Sequence, residues 1–99
     1  MKVSGYSVLI IDMAHYGDPE EESTVGGFET FEAAKAYARM IVRRSVEDLR
    51  GPNQSAEHLR QLWQHFGEDA FVVGGEESYA GSRDLDHFIE HPEADGGQL

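Results

Sequence analysis

The chain predicts an α+β fold, a three-stranded and mainly antiparallel sheet with helices packed against it in the order ββααβα. Three observations carry that expectation. Tyr6–Met13 (YSVLIIDM) is a short run of apolar and β-branched residues, with the length and composition of a strand. Residues 31–50 repeat their apolar positions at helical spacing between clear start and stop signals. Ala70–Val73 is a compact apolar run ended by Gly74-Gly75, which returns the chain to the sheet after two helical segments.

Taken in order, Tyr6–Met13 is apolar at both alternating sets of positions, so it is expected in the middle of the sheet with both faces covered. The following HYGDPEEES is a loop, because Asp18-Pro19 starts a turn and three consecutive glutamates repel one another. Thr24–Phe28 is a second strand, weakened by Gly26 and Gly27. Thr30 then caps the long helix, Glu32 complements its dipole, and Gly51-Pro52 stops it. Its core stripe is Phe31, Ala34, Ala38, Ile41, Val42, Ser45 and Leu49. Ser55 caps a second helix with Leu59, Leu62, Trp63 and Phe66 inward, stopped by Gly67. Ser82 caps a last short helix with Leu85, Phe88 and Ile89 inward, closed by Pro92. Residues 1–92 are expected to form one domain, and 93–99 (EADGGQL) a disordered acidic tail.

The composition is that of a globular chain, with 39% hydrophobic and 27% charged residues, and no apolar run reaches the roughly 20 residues that span a bilayer. Neither membrane insertion nor a signal peptide is expected, and the chain reads as cytoplasmic. Without cysteine it can build no disulfide, thiolate zinc site or cysteine nucleophile. A net charge of −11 opposes binding to nucleic-acid phosphates. The charge is uneven, since residues 31–65 hold six bases and four acids whereas residues 66–99 hold nine acids and one base.

GFETFEAAKAYA, together with SAEHLRQLWQHFGEDA, resembles a group of short uncharacterised bacterial proteins with a GFxTxExA helix start. The likeness covers about two-thirds of the chain and rests mainly on capping and core positions. It implies a fold and a bacterial source, and it implies no activity.

Two stretches carry metal-ligand residue types. His87-Phe88-Ile89-Glu90-His91 matches the H-x-x-E-H pattern of inverzincin metallopeptidases, and a helix would set His87 and His91 on one face beside Glu90. The third ligand of such sites lies well downstream, and only eight residues follow His91. A solvated helix end is therefore the expectation there. Asp12 and His15, with Asp18 and Glu20–Glu22, could supply ligands to a hard cation, although no EF-hand order is present and a solvated acidic loop is favoured. One or both of His58 and His65 are expected as partly buried flanks of Trp63. No nucleophile elbow, P-loop or dinucleotide fingerprint occurs, and no cofactor is expected.

The surface of the long helix is more informative. Lys35, Arg39 and Arg43 form a like-charged ridge continued by Arg50, a candidate dock for an acidic segment of this chain or of a protein partner. Ala33, Ala36, Tyr37, Met40 and Arg44 form a small, apolar and arginine-edged patch suited to a homodimer contact. The expected function is a small non-enzymatic interaction or ligand-binding module that self-associates. The alternative is a metal-dependent hydrolase using HFIEH.

Overall fold

The computed structural model describes residues 5–15 and 17–92; the expected tail, 93–99, lies outside the described residues. The fold is α+β, with a four-stranded antiparallel sheet and three helices. Strand β1 is Tyr6–Asp12, β2 Glu22–Phe28, β3 Glu68–Val73 and β4 Tyr79–Ala80, in the spatial order β2-β1-β3-β4. Helix α1 is Phe31–Leu49, α2 Ala56–Phe66 and α3 Leu85–Glu90. Short 3-10 turns cover Met13–His15, Pro19–Glu21 and Gly81–Asp84.

The order is thus ββααββα, which corrects the expectation of three strands. Strand β4 has only two residues, too few for an alternation to be read. It forms because Tyr79 and Ala80 pair with Val72 and Phe71, and because the Tyr79 ring is buried. Strand β2 starts two residues earlier than expected and absorbs its glycines, with Gly27 at φ +93° and a register shift between Tyr6 and Val8. The extra residue of such an irregularity bends the strand locally without ending the pairing.

Capping fixes the helices. Thr30 Oγ1 accepts from the Ala33 N–H at 3.1 Å and Ser55 Oγ from the His58 N–H at 3.0 Å, each satisfying a donor that the first turn leaves open. Helix α3 is different. Ser82 lies inside the preceding 3-10 turn, its backbone N–H on Asp69 Oδ1 at 3.0 Å, so α3 begins only at Leu85, with Asp84 at the cap position and no side-chain cap.

Helix α1 packs across β3, β1 and β2, burying Ala34, Ala38, Ile41, Val42 and Val46 against Val8, Ala70, Val72 and Tyr79. Phe31 and Leu49 close the ends of the stripe. Gly81 is required at this layer, since a Cβ there would stand 2.3 Å from Val42 Cγ2. Helix α2 packs beside α1 and α3, so Leu59 and Trp63 complete the same core with Leu85, Phe88 and Ile89. The buried Trp63 Nε1–H donates to Ser45 Oγ at 2.8 Å, and the Ser45 hydroxyl is shared between the carbonyl oxygens of Val42 (2.9 Å) and Glu68 (3.3 Å). This hydroxyl ties α1, α2 and β3 together. Phe66, expected inward, is 61% exposed because α2 turns it past the end of the core.

One expectation fails in an instructive way. Only one face of β1 joins the core: Tyr6, Val8 and Ile10 point to α1, whereas Leu9 and Ile11 lie outside the core cluster. Across the sheet, Leu9 pairs with Phe71 and Thr24, Ser7 with Val73, and Phe71 with Ala80. Side chains directly opposite in antiparallel strands share a face. Leu9, Ile11, Phe71 and Val73 therefore make a contiguous apolar patch on the side away from α1, with Val73 41% exposed.

Candidate functional site

Helix α1 presents its basic ridge to the C-terminal segment of the same chain. Lys35 Nζ stands 5.1 Å from the Tyr79 ring centroid, and the Arg39 and Arg43 guanidinium groups stand 5.2 and 4.6 Å from that of Phe88. These are cation–π distances. Arg43 also donates to the His91 carbonyl at 3.0 Å and lies 3.6 Å from Glu47. Arg50 forks onto Glu47 at 2.9 and 3.0 Å and donates to the Phe88 and Ile89 carbonyls at 2.9 and 3.1 Å. Those carbonyls belong to the last turn of α3, which has no intrahelical partner for them. Like charges on α1 are thus tolerated because α3 brings oxygens to them.

Asp84 completes the clasp. Its carboxylate accepts from the Tyr79 hydroxyl and lies 3.4 Å from Arg39 Nε. Burial first, and then that hydrogen bond, push the Tyr79 phenol well above its ordinary range, so it stays a donor. Arg39 Nε is buried and misaligned with Asp84, and it makes no hydrogen bond.

The residues expected at a dimer patch divide. Tyr37 is half-buried, its ring 5.3 Å from that of Phe28 and packed against the core, so it is not part of an open surface. Ala33 is exposed at the first turn. Ala36, Met40 and Arg44 instead join Arg39, Arg43 and the edge of Phe88 around a groove of about 290 Å³. Met40 is 37% exposed, and Arg44 Nη1 donates to its Sδ at 3.4 Å. Two of the four ridge residues and three of the five patch residues therefore meet in one place.

At the other end of the sheet, Asp12, His15 and Glu21 each place one ligand atom within 4.8 Å of the other two. His15 Nδ1 lies 3.1 Å from Asp12 Oδ2 and 4.0 Å from Glu21 Oε1. The Asp12 hydrogen bond, aided by Glu21 and Asp18, raises the imidazole above its usual pKa. Asp12 Oδ1 accepts from the Ala14 N–H and Asp18 Oδ1 from the Glu20 N–H, so the acidic loop is folded on its own backbone. A nitrogen and two carboxylates suit a divalent cation, but every member is solvent-facing to a substantial degree.

The HFIEH stretch occupies α3 and the residue after it. The rings of His87 and His91 stack 4.4 Å apart, and His91 Nδ1 is turned back onto the His87 carbonyl at 3.0 Å. Among the described residues, His87, Glu90 and His91 do not converge as a three-ligand group. His58 and His65 are exposed, which corrects their expected burial beside Trp63; His65 Nδ1 instead faces the Gln61 carbonyl at 2.9 Å.

Asp69 and the outward sheet patch escaped sequence reasoning. Asp69 is 5% exposed and its Oδ1 accepts from the Ala70 and Ser82 N–H groups, while burial pushes its carboxyl up. The only sequence signal for the patch is the double-faced apolarity of β1, which fits a free face as well as a covered one. The chain matches no family model, no curated protein and no solved structure. No helix among the described residues is long and apolar enough to cross a membrane.

Proposed function

We propose that this chain is a small non-enzymatic interaction module that self-associates, and that two copies meet through the outward face of the sheet. The observation that carries this reading is the row Leu9, Ile11, Phe71 and Val73, apolar and contiguous yet outside the core. Soluble chains seldom leave such a face in water without a partner. A second copy is the natural occupant because sheet faces pack on one another at about 10 Å with their strands nearly aligned, and a two-fold axis lets one patch serve both subunits.

Size supports a modest affinity. The strand residues, seven in β1, seven in β2, six in β3 and two in β4, cover about 350 Å² of sheet face, hence about 700 Å² for two copies before side-chain relief is counted. That is below the standard size of specific interfaces, so a weak, readily dissociating dimer is expected. Among the described residues the charged groups on this face are Glu22, at its edge, and the buried Asp69, so the strong net charge is kept to the rim.

Light scattering on a size-exclusion column at tens of micromolar tests the proposal. The unmodified protein should give close to twice 11.0 kDa. Val73→Glu, at a position already half in solvent, should give a monomer with an unchanged circular dichroism spectrum. Met40→Glu, on the far side of α1, should remain a dimer. A monomeric unmodified protein would sink the proposal, as would a dimer that responds to Met40→Glu and ignores Val73→Glu.

A further inference from the structure

We infer that the groove bounded by Ala36, Arg39, Met40, Arg43, Arg44 and Phe88 is a docking site for an acidic peptide segment of a partner protein, one that carries an apolar side chain among its carboxylates. Charge complementarity is the first argument. The chain has a net charge of −11, yet this groove gathers three arginines along two turns of one helix, and among the described residues Asp84 pairs with Arg39 and Glu47 with Arg43. A cationic spot on a strongly acidic protein selects its ligand sharply, because the surrounding field repels anions except where they reach it.

The state of each arginine supplies the second argument. Arg44 is exposed, and among the described residues it pairs with no carboxylate; its hydrogen bond goes to the Met40 sulfur, a weak acceptor. A carboxylate arriving at the groove would reach the exposed Arg44 guanidinium and offer it a stronger acceptor than sulfur. Arg43 is committed to Glu47, the His91 carbonyl and the Phe88 ring, so it contributes shape and field. Arg39 is ion-paired with Asp84, its buried Nε 3.4 Å from Oδ2 without a hydrogen bond, so it too contributes shape and field.

The groove is also organised before any ligand arrives. Arg39 and Arg43 lie over the Phe88 ring, itself 1% exposed, so little side-chain freedom remains to be lost in binding. Between them Ala36 and Met40 offer apolar surface, which a purely anionic ligand would leave unused. An acidic segment with a leucine or phenylalanine uses both. The groove is on the outer side of α1, and α1 covers the sheet face opposite the proposed dimer contact, so both surfaces can be occupied together.

Fluorescence anisotropy with a labelled peptide of alternating glutamate and leucine tests this on the full chain. A saturable curve is expected at low salt, weakened severalfold between 50 and 300 mM salt as exposed charges are screened, on the order of the Debye-length change. Arg44→Glu should weaken binding at least about tenfold, equivalent to about 1.4 kcal/mol. Met40→Ser should weaken it less, and a lysine–leucine peptide should not bind. Equal binding by Arg44→Glu and the unmodified chain would overturn the inference, as would no saturation with any peptide. If instead a second copy's acidic loop fills the groove, unmodified protein forms species larger than a dimer that Arg44→Glu abolishes, and the partner reading is overturned. Val73→Glu separates the two proposals, since it should abolish the dimer and leave peptide binding intact.

Discussion

Ser45→Ala is a small change with a large expected cost. It keeps the β-carbon and removes one oxygen, so almost no packing is lost. What is lost is the acceptor 2.8 Å from Trp63 Nε1, on an indole that is only 3% exposed. Stranding a buried donor costs about 1–3 kcal/mol, and the link from α1 to the Glu68 carbonyl goes with it. A destabilisation of about 2 kcal/mol is therefore expected, a shift of about 1–2 M in the urea midpoint for a domain of this size. Trp63 is the only tryptophan and reports the transition by its own fluorescence. Protein concentration must be held fixed, because any dimer adds concentration-dependent stability. Trp63→Phe removes the donor, so in that background, followed by circular dichroism, Ser45→Ala should cost less than about 0.5 kcal/mol. Equal costs in the two backgrounds would refute the hydrogen bond as the source of the effect.

Four further outcomes follow from the packing and the charges. Gly81→Ala should destabilise by about 1–3 kcal/mol in the same urea assay, because its methyl would press on Val42 Cγ2. Arg50→Met should cost about 1.5–3 kcal/mol and speed amide exchange in α3, whose final carbonyls it holds. His15 should titrate above 6.5 by NMR and fall towards that value in Asp12→Asn; the stability it adds is present below the ordinary histidine pKa and is lost as pH rises through the raised one. Asp69 has the opposite relation to a salt-bridged acid: its folded pKa is raised, so its ionised form is penalised and stability should rise as pH falls through the folded value towards the unfolded one. Urea midpoints for Asp69→Asn should lack that component, and an unchanged pH profile would contradict it.

The helices were legible because their signals are local. Thr30 and Ser55 cap as their chemistry dictates, and the 3.6-residue spacing of Ala34, Ala38, Ile41 and Val42 can bury only one face. The sheet was less legible because its signals are shared between strands. Tyr79 and Ala80 look like loop residues until Phe71 and Val72 pair with them. Leu9 and Ile11 look buried by type, and only the position of α1 shows that they lie outside the core cluster, partly buried on the other face. The surface of α1 fell between these cases. Spacing placed Lys35, Arg39 and Arg43 in one row, but that Phe88, Asp84 and the α3 carbonyls would meet them depends on contacts across about 40 to 50 residues of chain, beyond any local pattern.

The proposed sheet-to-sheet association is tested most directly by isotope-filtered NMR on a mixed dimer of labelled and unlabelled chains. In that experiment only contacts between copies survive. The account predicts intermolecular cross-peaks from the methyl groups of Leu9, Ile11 and Val73 and from the Phe71 ring, with none from Met40. Intermolecular cross-peaks from Met40 with silence at Leu9 and Val73 would contradict it.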